Sequence, residues 1–387
     1  MKVNTTQKTQ RLAYGLIVIT LAGSPAYAAD SLDQALTEGK PNLDMRLRYE
    51  SVDDSTNMKA SAATLRTRLG YKTADLSGFY AFGEFEDVRI AGGVGDYAPE
   101  KTGYATIADP EVTQLNQALL GFKNDNTEIK LGRQRLILDN ARFIGNVGWR
   151  QNEQTFDAFS VVNQSLPDIT LTYAFLDQVN GILTKFDADV SDHLLNASYT
   201  GFKPAKITAY AYLLKDDTSD AKNDTYGLRV KGKADSFLYT AEFASQSTDN
   251  NDASYMFAEA GMKLSGVTAK LGYEVLGSDN GAYGFQTPLA TKHAFNGWAD
   301  EFLATPATGL KDFILLVTGK VSGVKLLAAY HDFSADEGSA DYGSEVDLLA
   351  AKKFGKRYTL GVKYAAYSAD TFKTDTDKLW VWGQVKI

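Results

Sequence analysis

NLDMRLRYESV, residues 42–52, alternates without a break. Leu43, Met45, Leu47 and Tyr49 point one way; Asp44, Arg46, Arg48 and Glu50 point the other. A period of two with every charge on one face specifies a β-strand with an apolar and a polar side. The pattern returns at residues 64–72, where Leu65, Leu69 and Tyr71 oppose Arg66, Arg68 and Lys72. It returns again at residues 79–88, where Phe79, Ala81 and Phe85 oppose Glu84 and Glu86.

Outward from these three, the chain reads as about eighteen strands, an even number within the range of single-chain outer-membrane barrels. Tight turns at residues 73–77, 124–126, 265–266, 322–323 and 355–357 alternate with longer polar loops at residues 91–112, 136–151, 277–311 and 333–343. Short turns at one end and long loops at the other place both termini on the periplasmic side. No stretch reads as a helix. The expected fold is therefore all-β: a transmembrane antiparallel barrel. In lipid no backbone amide can go unpaired, so a spanning sheet must close on itself.

Composition agrees. The 387 residues carry no cysteine, so disulfide and thiol chemistry are out. Mean hydropathy is −0.26, too polar for a helical membrane protein, which needs about 20 consecutive apolar residues per span. A barrel averages out polar because lipid-facing and lumen-facing residues alternate. Tyr49, Tyr71, Tyr199, Tyr239, Tyr255, Tyr330, Tyr358 and Tyr364 fall on or near strands, as interfacial aromatic girdles require. The net charge of −8 argues against nucleic acid as a partner, since that partner selects a basic surface. It leaves the sign of a lumen open.

Residues 1–28 read as a secretory signal. Lys2, Lys8 and Arg11 precede a short apolar run at residues 12–22, and Ala26-Tyr27-Ala28 is an A-x-A cleavage site. The expected division is a signal peptide at 1–28, cleaved after Ala28, and one barrel domain at 29–387. Residues 29–40 are too short for a plug domain, which argues against an energised receptor.

An arginine on the lipid face at mid-membrane costs about 2–4 kcal/mol. That magnitude assigns Arg46, Arg48, Glu50, Arg66, Arg68, Glu84, Glu86, Arg229 and Lys231 to the lumen. Cross-strand ion pairing could account for many of these charges. An arginine row in excess would instead suit a carboxylate, which its planar fork binds in bidentate fashion.

Parity breaks in KLGRQRLILDNARFIGNVGWRQNEQTFDAF, residues 130–159. Arg133 and Arg135 share the face of Ile129 and Leu131, which should meet lipid. The expectation is that the strand has already left the membrane. Arg133, Arg135, Arg142, Arg150 and Asp157 then become candidates for a loop that narrows the pore.

The same stretch carries a resemblance. GRQRL, the loop ending in Trp149-Arg150 and the following Thr155-Phe156-Asp157 resemble the alginate export family of outer-membrane β-barrels. TPLATKHAFNGWADEFLATPATGLKD, residues 287–312, is similar to that family's long extracellular loop. The resemblance implies a channel in the outer membrane of a Gram-negative cell, in contact with lipid and lipopolysaccharide and inserted by the barrel assembly machinery. No cofactor and no metal are expected, because no loop carries a dedicated binding motif.

An enzyme is disfavoured. The three histidines are His193, His293 and His331. Ser191-Asp192-His193 has the residue types of a triad, but neighbours on a strand face opposite ways. No nucleotide-binding or metalloprotease motif occurs. Three functions follow in order. The first is a porin for hydrophilic, anionic solutes or saccharides. The second is an exporter of an acidic polysaccharide such as alginate, with periplasmic partners. The third is a surface adhesin or structural barrel plugged by its loops.

Overall fold

The computed structural model describes residues 29–387, so the signal-sequence expectation lies outside the described residues. The strands, in chain order, are β1 (Lys40–Asp53), β2 (Ala60–Lys72), β3 (Phe79–Asp96), β4 (Val112–Lys123), β5 (Thr127–Gln134), β6 (Thr155–Asn163), β7 (Ile169–Asn180), β8 (Ala188–Tyr199), β9 (Ala205–Lys215), β10 (Lys222–Ala234), β11 (Phe237–Thr248), β12 (Asp252–Leu264), β13 (Val267–Leu276), β14 (Ser278–Asp279), β15 (Tyr283–Gly284), β16 (Leu310–Val321), β17 (Val324–Ser334), β18 (Asp341–Phe354), β19 (Tyr358–Ala369) and β20 (Thr376–Lys386). β14 and β15 form a small ladder of their own inside a loop; the rest make one 18-stranded sheet. β1 pairs antiparallel with β2 on one side and β20 on the other, which closes the barrel. The expected fold is the observed one.

Alternation holds where it was read. Leu47 is 52% exposed on the outside and Arg48 is 1% exposed within. Tyr49, Tyr71, Tyr199, Tyr330, Tyr358 and Tyr364 are exposed on the outer face, as a girdle requires. Tyr255 departs from that expectation. It is buried in the lumen and donates to Glu274 Oε1 at 2.7 Å. Position along a strand was read correctly there, but not the side.

Three further differences have local causes. A six-residue helix, α1 (Leu32–Thr37), stands at the periplasmic end, where none was expected. Ser31 caps it by accepting from the Gln34 amide at 3.2 Å, and Ala35 is its buried contact. One turn and a half is too short to show a helical period. Next, β3 runs on to Asp96, six residues into what read as a loop, through a register shift opposite β2 between Ala62 and Thr64. The extra rise packs Val52, Ala60, Ala62, Tyr97, Ala105 and Ile107 into a small apolar cluster above the rim.

Finally, β5 does not leave the sheet before Arg133. Arg133 pairs in register with Ala118 and Asp157. It keeps the outward face of Leu131 and Leu120, both exposed. Arg133 and Asp157 neutralise each other there, Nε to Oδ1 at 2.7 Å and Nη2 to Oδ2 at 2.9 Å. Those two candidates therefore sit on the outside of the rim and not at a constriction.

The main hydrophobic cluster lies inside the barrel. Residues 135–154 and 277–309 fold inward from the long-loop end. Phe143, Phe285, Leu289 and Phe302 of these loops pack on Tyr210, Tyr255, Phe333, Tyr367 and Trp380 of the wall. Phe143 meets Tyr255 edge-on at 5.3 Å, and Phe302 meets Phe333 at 4.5 Å. Such aromatic contacts add to area burial, so the loops are docked against the wall.

Candidate functional site

The first three strands set a wall of charge. Arg46 and Arg66 stand directly opposite in register, an arrangement of like charges that destabilises a sheet unless something answers it. Arg66 is answered by Asp44 at 2.9 Å. Arg68 pairs with Glu86, and its Nη1 lies 3.2 Å from Glu153 Oε1. Arg48 pairs with Asp109 and lies 3.3 Å from Glu50. Arg46 alone of this row forms no ion pair among the described residues. Its Nε donates to Gln151 Oε1 at 2.8 Å, and its other nitrogens reach the carbonyls of Gly148 and Arg150.

The loop that answers this wall is residues 135–154. Gln151 is its hub. It accepts from Arg46, donates to Thr64 Oγ1 at 2.9 Å, and its amide donates to Asp109 Oδ1 at 2.8 Å. Arg150 spans two elements, with Glu50 Oε1 at 2.9 Å and Asp300 Oδ2 at 2.8 Å. Arg135 turns inward to Glu153 and to Glu84 at 3.2 Å. Glu84 also accepts from Asn116 and Gln117. Burial would push the Glu153 carboxyl up; Arg68, Arg135 and Asn116 hold it down at about 2.

Residues 277–309 answer the opposite side. Arg142 donates to Glu274 Oε1 and to Asn296 Oδ1. Asn296 in turn donates to Glu274 and Asp312. Burial pushes the His293 imidazole down to about 3, which leaves it neutral. Its two contacts fix the tautomer by their chemistry. Nδ1–H donates to Asp300 Oδ1 at 2.6 Å, and Nε2 accepts from the Lys363 ammonium at 2.6 Å. The ring stacks on Trp149 at 5.3 Å with 2° between planes. Lys363 lies 3.5 Å from the Trp298 ring centre and 4.5 Å from that of Trp149. One lysine of β19 thus anchors both loops.

Below the docked loops, toward the periplasmic mouth, two chambers open. One holds about 500 Å³ and is lined by Arg46, Arg66, Arg68, Arg135 and Lys386 against Asp44, Glu84 and Glu153. The other, of about 300 Å³, is lined in part by Arg229, Lys231, Glu274, Trp298 and Asp347. Arg229 pairs with Glu242 at 3.3 Å, while Lys231 is exposed at the mouth.

The structure therefore brings Arg46, Arg66, Arg68, Glu84 and Arg135 to one chamber. Arg48, Glu50 and Arg150 sit above it, sealed under the loop, and Glu86 is buried against Arg68. Arg142, Arg229 and Lys231 belong to the other side. Sequence reasoning passed over Asp109, Gln151, Glu153, Asp300 and Lys378, although all but Asp109 and Lys378 fall within the two stretches that carried the family resemblance.

With this geometry in place, comparison with known proteins gives three findings. The profile of a family described as alginate export matches residues 39–277. No curated protein sequence matches the chain. Solved structures share the fold. Acinetobacter baumannii OccAB2 superposes with a TM-score of 0.72 at 14% identity, over 92% of this chain and 99% of its own. Pseudomonas aeruginosa OccK9 (OpdG) gives 0.69 at 15%, over 91% and 99%. P. aeruginosa OpdK, solved with vanillate, gives 0.67 at 16%, over the same shares.

Proposed function

Because the chain belongs to the alginate export family, we propose that it is an outer-membrane channel through which hydrophilic, anionic solutes cross passively. The observation that carries this reading is the 500 Å³ chamber. Among the described residues Arg46 borders it without a carboxylate partner, and Nε of Arg66 has no acceptor. Positive side chains on its wall outnumber negative ones. A low-dielectric wall focuses such a field, so an anion entering the chamber gains where a cation does not. Guanidinium groups also offer a carboxylate paired donors. The net charge of the chain does not decide this sign, because the acid residues of the outer loops are remote and screened within about 10 Å at 0.1 M salt.

The experiment is a reversal potential across a planar bilayer in a salt gradient. Wild type is expected to favour anions, and Arg46→Gln/Arg66→Gln to lose much of that preference, most at low salt. A cation-selective wild type, or an unchanged double variant, would overturn the reading. Arg48 is left out because it lies sealed beneath the loop.

Export of an acidic polysaccharide is the second reading, favoured by the family match. Both need the same wall. Uptake of labelled uronate monomers into vesicles, against longer oligomers, separates a diffusion channel from an exporter. A barrel plugged as an adhesin predicts no conductance in either direction.

The reading includes the unit it acts as: a signal peptide at 1–28 removed after Ala28 and a barrel at 29–387. It sits in outer-membrane lipid and lipopolysaccharide after insertion by the barrel assembly machinery. N-terminal sequencing of the protein from outer membranes is expected to begin at Ala29. An intact Met1 contradicts that.

A further inference from the structure

The second chamber has a feature that an anion channel does not use. Glu345 and Asp347 lie two residues apart on β18, so both face the lumen. They are 1% and 0% exposed. Glu345 Oε1 accepts from the Ala299 amide at 2.7 Å, but its Oε2 has no hydrogen-bond partner among the described residues. Neither oxygen of Asp347 has one. Glu153 and Glu50, buried in the same lumen, each meet arginines. Asp347 meets none among the described residues, yet it lines a 300 Å³ cavity.

All but one of the cations nearby are committed to other groups. His331 gives Nδ1 to Asp312 at 3.0 Å, and its Nε2 stands 3.9 Å from Asp347. Arg142 is held by Glu274 and Asn296. Lys363 is bound to His293 Nε2 and packed on the Trp298 ring. Across the chamber Arg229 and Lys270 pair with Glu242 and Glu259. Lys231 stands exposed at the mouth with no ion pair among the described residues. A positive group is missing where two carboxylates expect one.

We propose that this chamber binds an organic ammonium group, held by Asp347, with the charge of Glu345 close behind it, and flanked by Trp298, Phe257 and Phe295. Two facts favour an alkylammonium over a metal ion. No group of three acidic or histidine side chains among the described residues converges with metal-ligand geometry. The cavity is also far larger than an ion, and the part of its wall formed by Phe257, Phe295, Trp298, Ile314 and Leu316 is aromatic and aliphatic, which suits the methylenes beside an ammonium. The inference rests on the channel reading in one respect: it gives the pore an amine subsite apart from the chamber of Arg46, Arg66 and Arg68, so that a solute carrying both charges has a place for each.

The test is an equilibrium titration of the purified, detergent-folded barrel. Trp298 borders the site, so tryptophan emission reports occupancy. Ethylammonium chloride is added against potassium chloride and against ethylene glycol, at constant ionic strength and pH 7. The expected result is a saturable change with ethylammonium, at least tenfold weaker in Asp347→Asn and in Glu345→Gln, and no saturable change with potassium or glycol. Heat-dependent gel mobility checks that each variant is folded. Should one variant fail to fold, the other reads the same pair. A response equal for potassium and ethylammonium would mean simple screening and end the proposal. A flat wild-type titration would show that the two carboxyls hold a proton between them and bind no cation. The titration needs no conduction, so failure of the site and failure of the channel give different records.

Discussion

Arg150 shows how much rests on single side chains in this lumen. It is buried and bridges Glu50 of β1 to Asp300 of the second inward loop. Removing one partner of a buried ion pair leaves an uncompensated charge and costs about 3–5 kcal/mol. Arg150→Met is therefore expected to loosen both loops, visible as new protease cleavage within residues 135–154 of the folded barrel. Adding Glu50→Gln should recover part of the loss, because it removes one stranded charge. If the single variant resists protease like wild type, the bridge does not hold the loops. Gly297 makes the second case. Its φ is +83°, and a Cβ there would stand 2.2 Å from Glu345 Oε2. Gly297→Ala should cost roughly 1–3 kcal/mol of loop docking through backbone strain alone, read by the same cleavage assay.

At the scale of elements, the strands were legible in the sequence and the inward loops were not. Leu47 and Arg48 could be assigned to opposite faces because lipid and water impose a period of two. No such rule governs a loop. Arg142 finds Glu274 at a separation of 132 residues, and nothing in the local sequence names that partner. Arg133 and Arg135 show the boundary case. One remains in the ladder facing out and the next arginine turns in, and only the pairing with Asp157 and Glu153 tells them apart. Accessibility can check the strand assignment: a cysteine at Asn42, which borders the larger chamber, should react with an aqueous thiol reagent, and one at Leu47 should not. Reversed reactivity would place every side chain of β1 on the other face.

The docked loops should also respond to acid. His293 is neutral in the folded protein, with a value pushed from 6.5 to about 3. An undocked loop would bind more protons than the docked one between those values, so docking weakens as pH falls through that window. Asp300 is held well below the usual carboxylate range by His293, Lys378 and Arg150 despite its burial. Its contribution is present at neutral pH and is also lost on acidification. Both signs agree. Single-channel records are expected to show more frequent transitions at pH 4.5 than at pH 7; a quieter trace at pH 4.5 would contradict the assignment.

For the whole molecule, closure is the governing fact. Every barrel strand has two neighbours, so no edge is exposed to lipid and unfolding must break the ring. Unboiled protein in detergent is expected to migrate differently from boiled protein on a gel, and identical mobility would argue against a closed barrel. Deleting β20 should abolish the shift altogether, since β1 and β19 would each lose a partner at once. Much of this was readable from alternation and turn spacing. The sequence left open where the ring closes, because strand order around a barrel has no local signature.

The seam between β1 and β20 also sets a timetable. Gln384 donates to Asp44 across it, and the two residues are 340 positions apart in the chain. Joining ends so distant costs roughly 5 kcal/mol of chain entropy, against about 1–2 kcal/mol for a hairpin turn. Hairpins can therefore zip as the chain emerges, but the last bond of the ring must wait for the last strand. Until then β1 is an open ribbon with unpaired amides. The protein must reach the bilayer complete and be held from aggregation in the meantime, so its biogenesis is limited by an event that only its final residues can trigger.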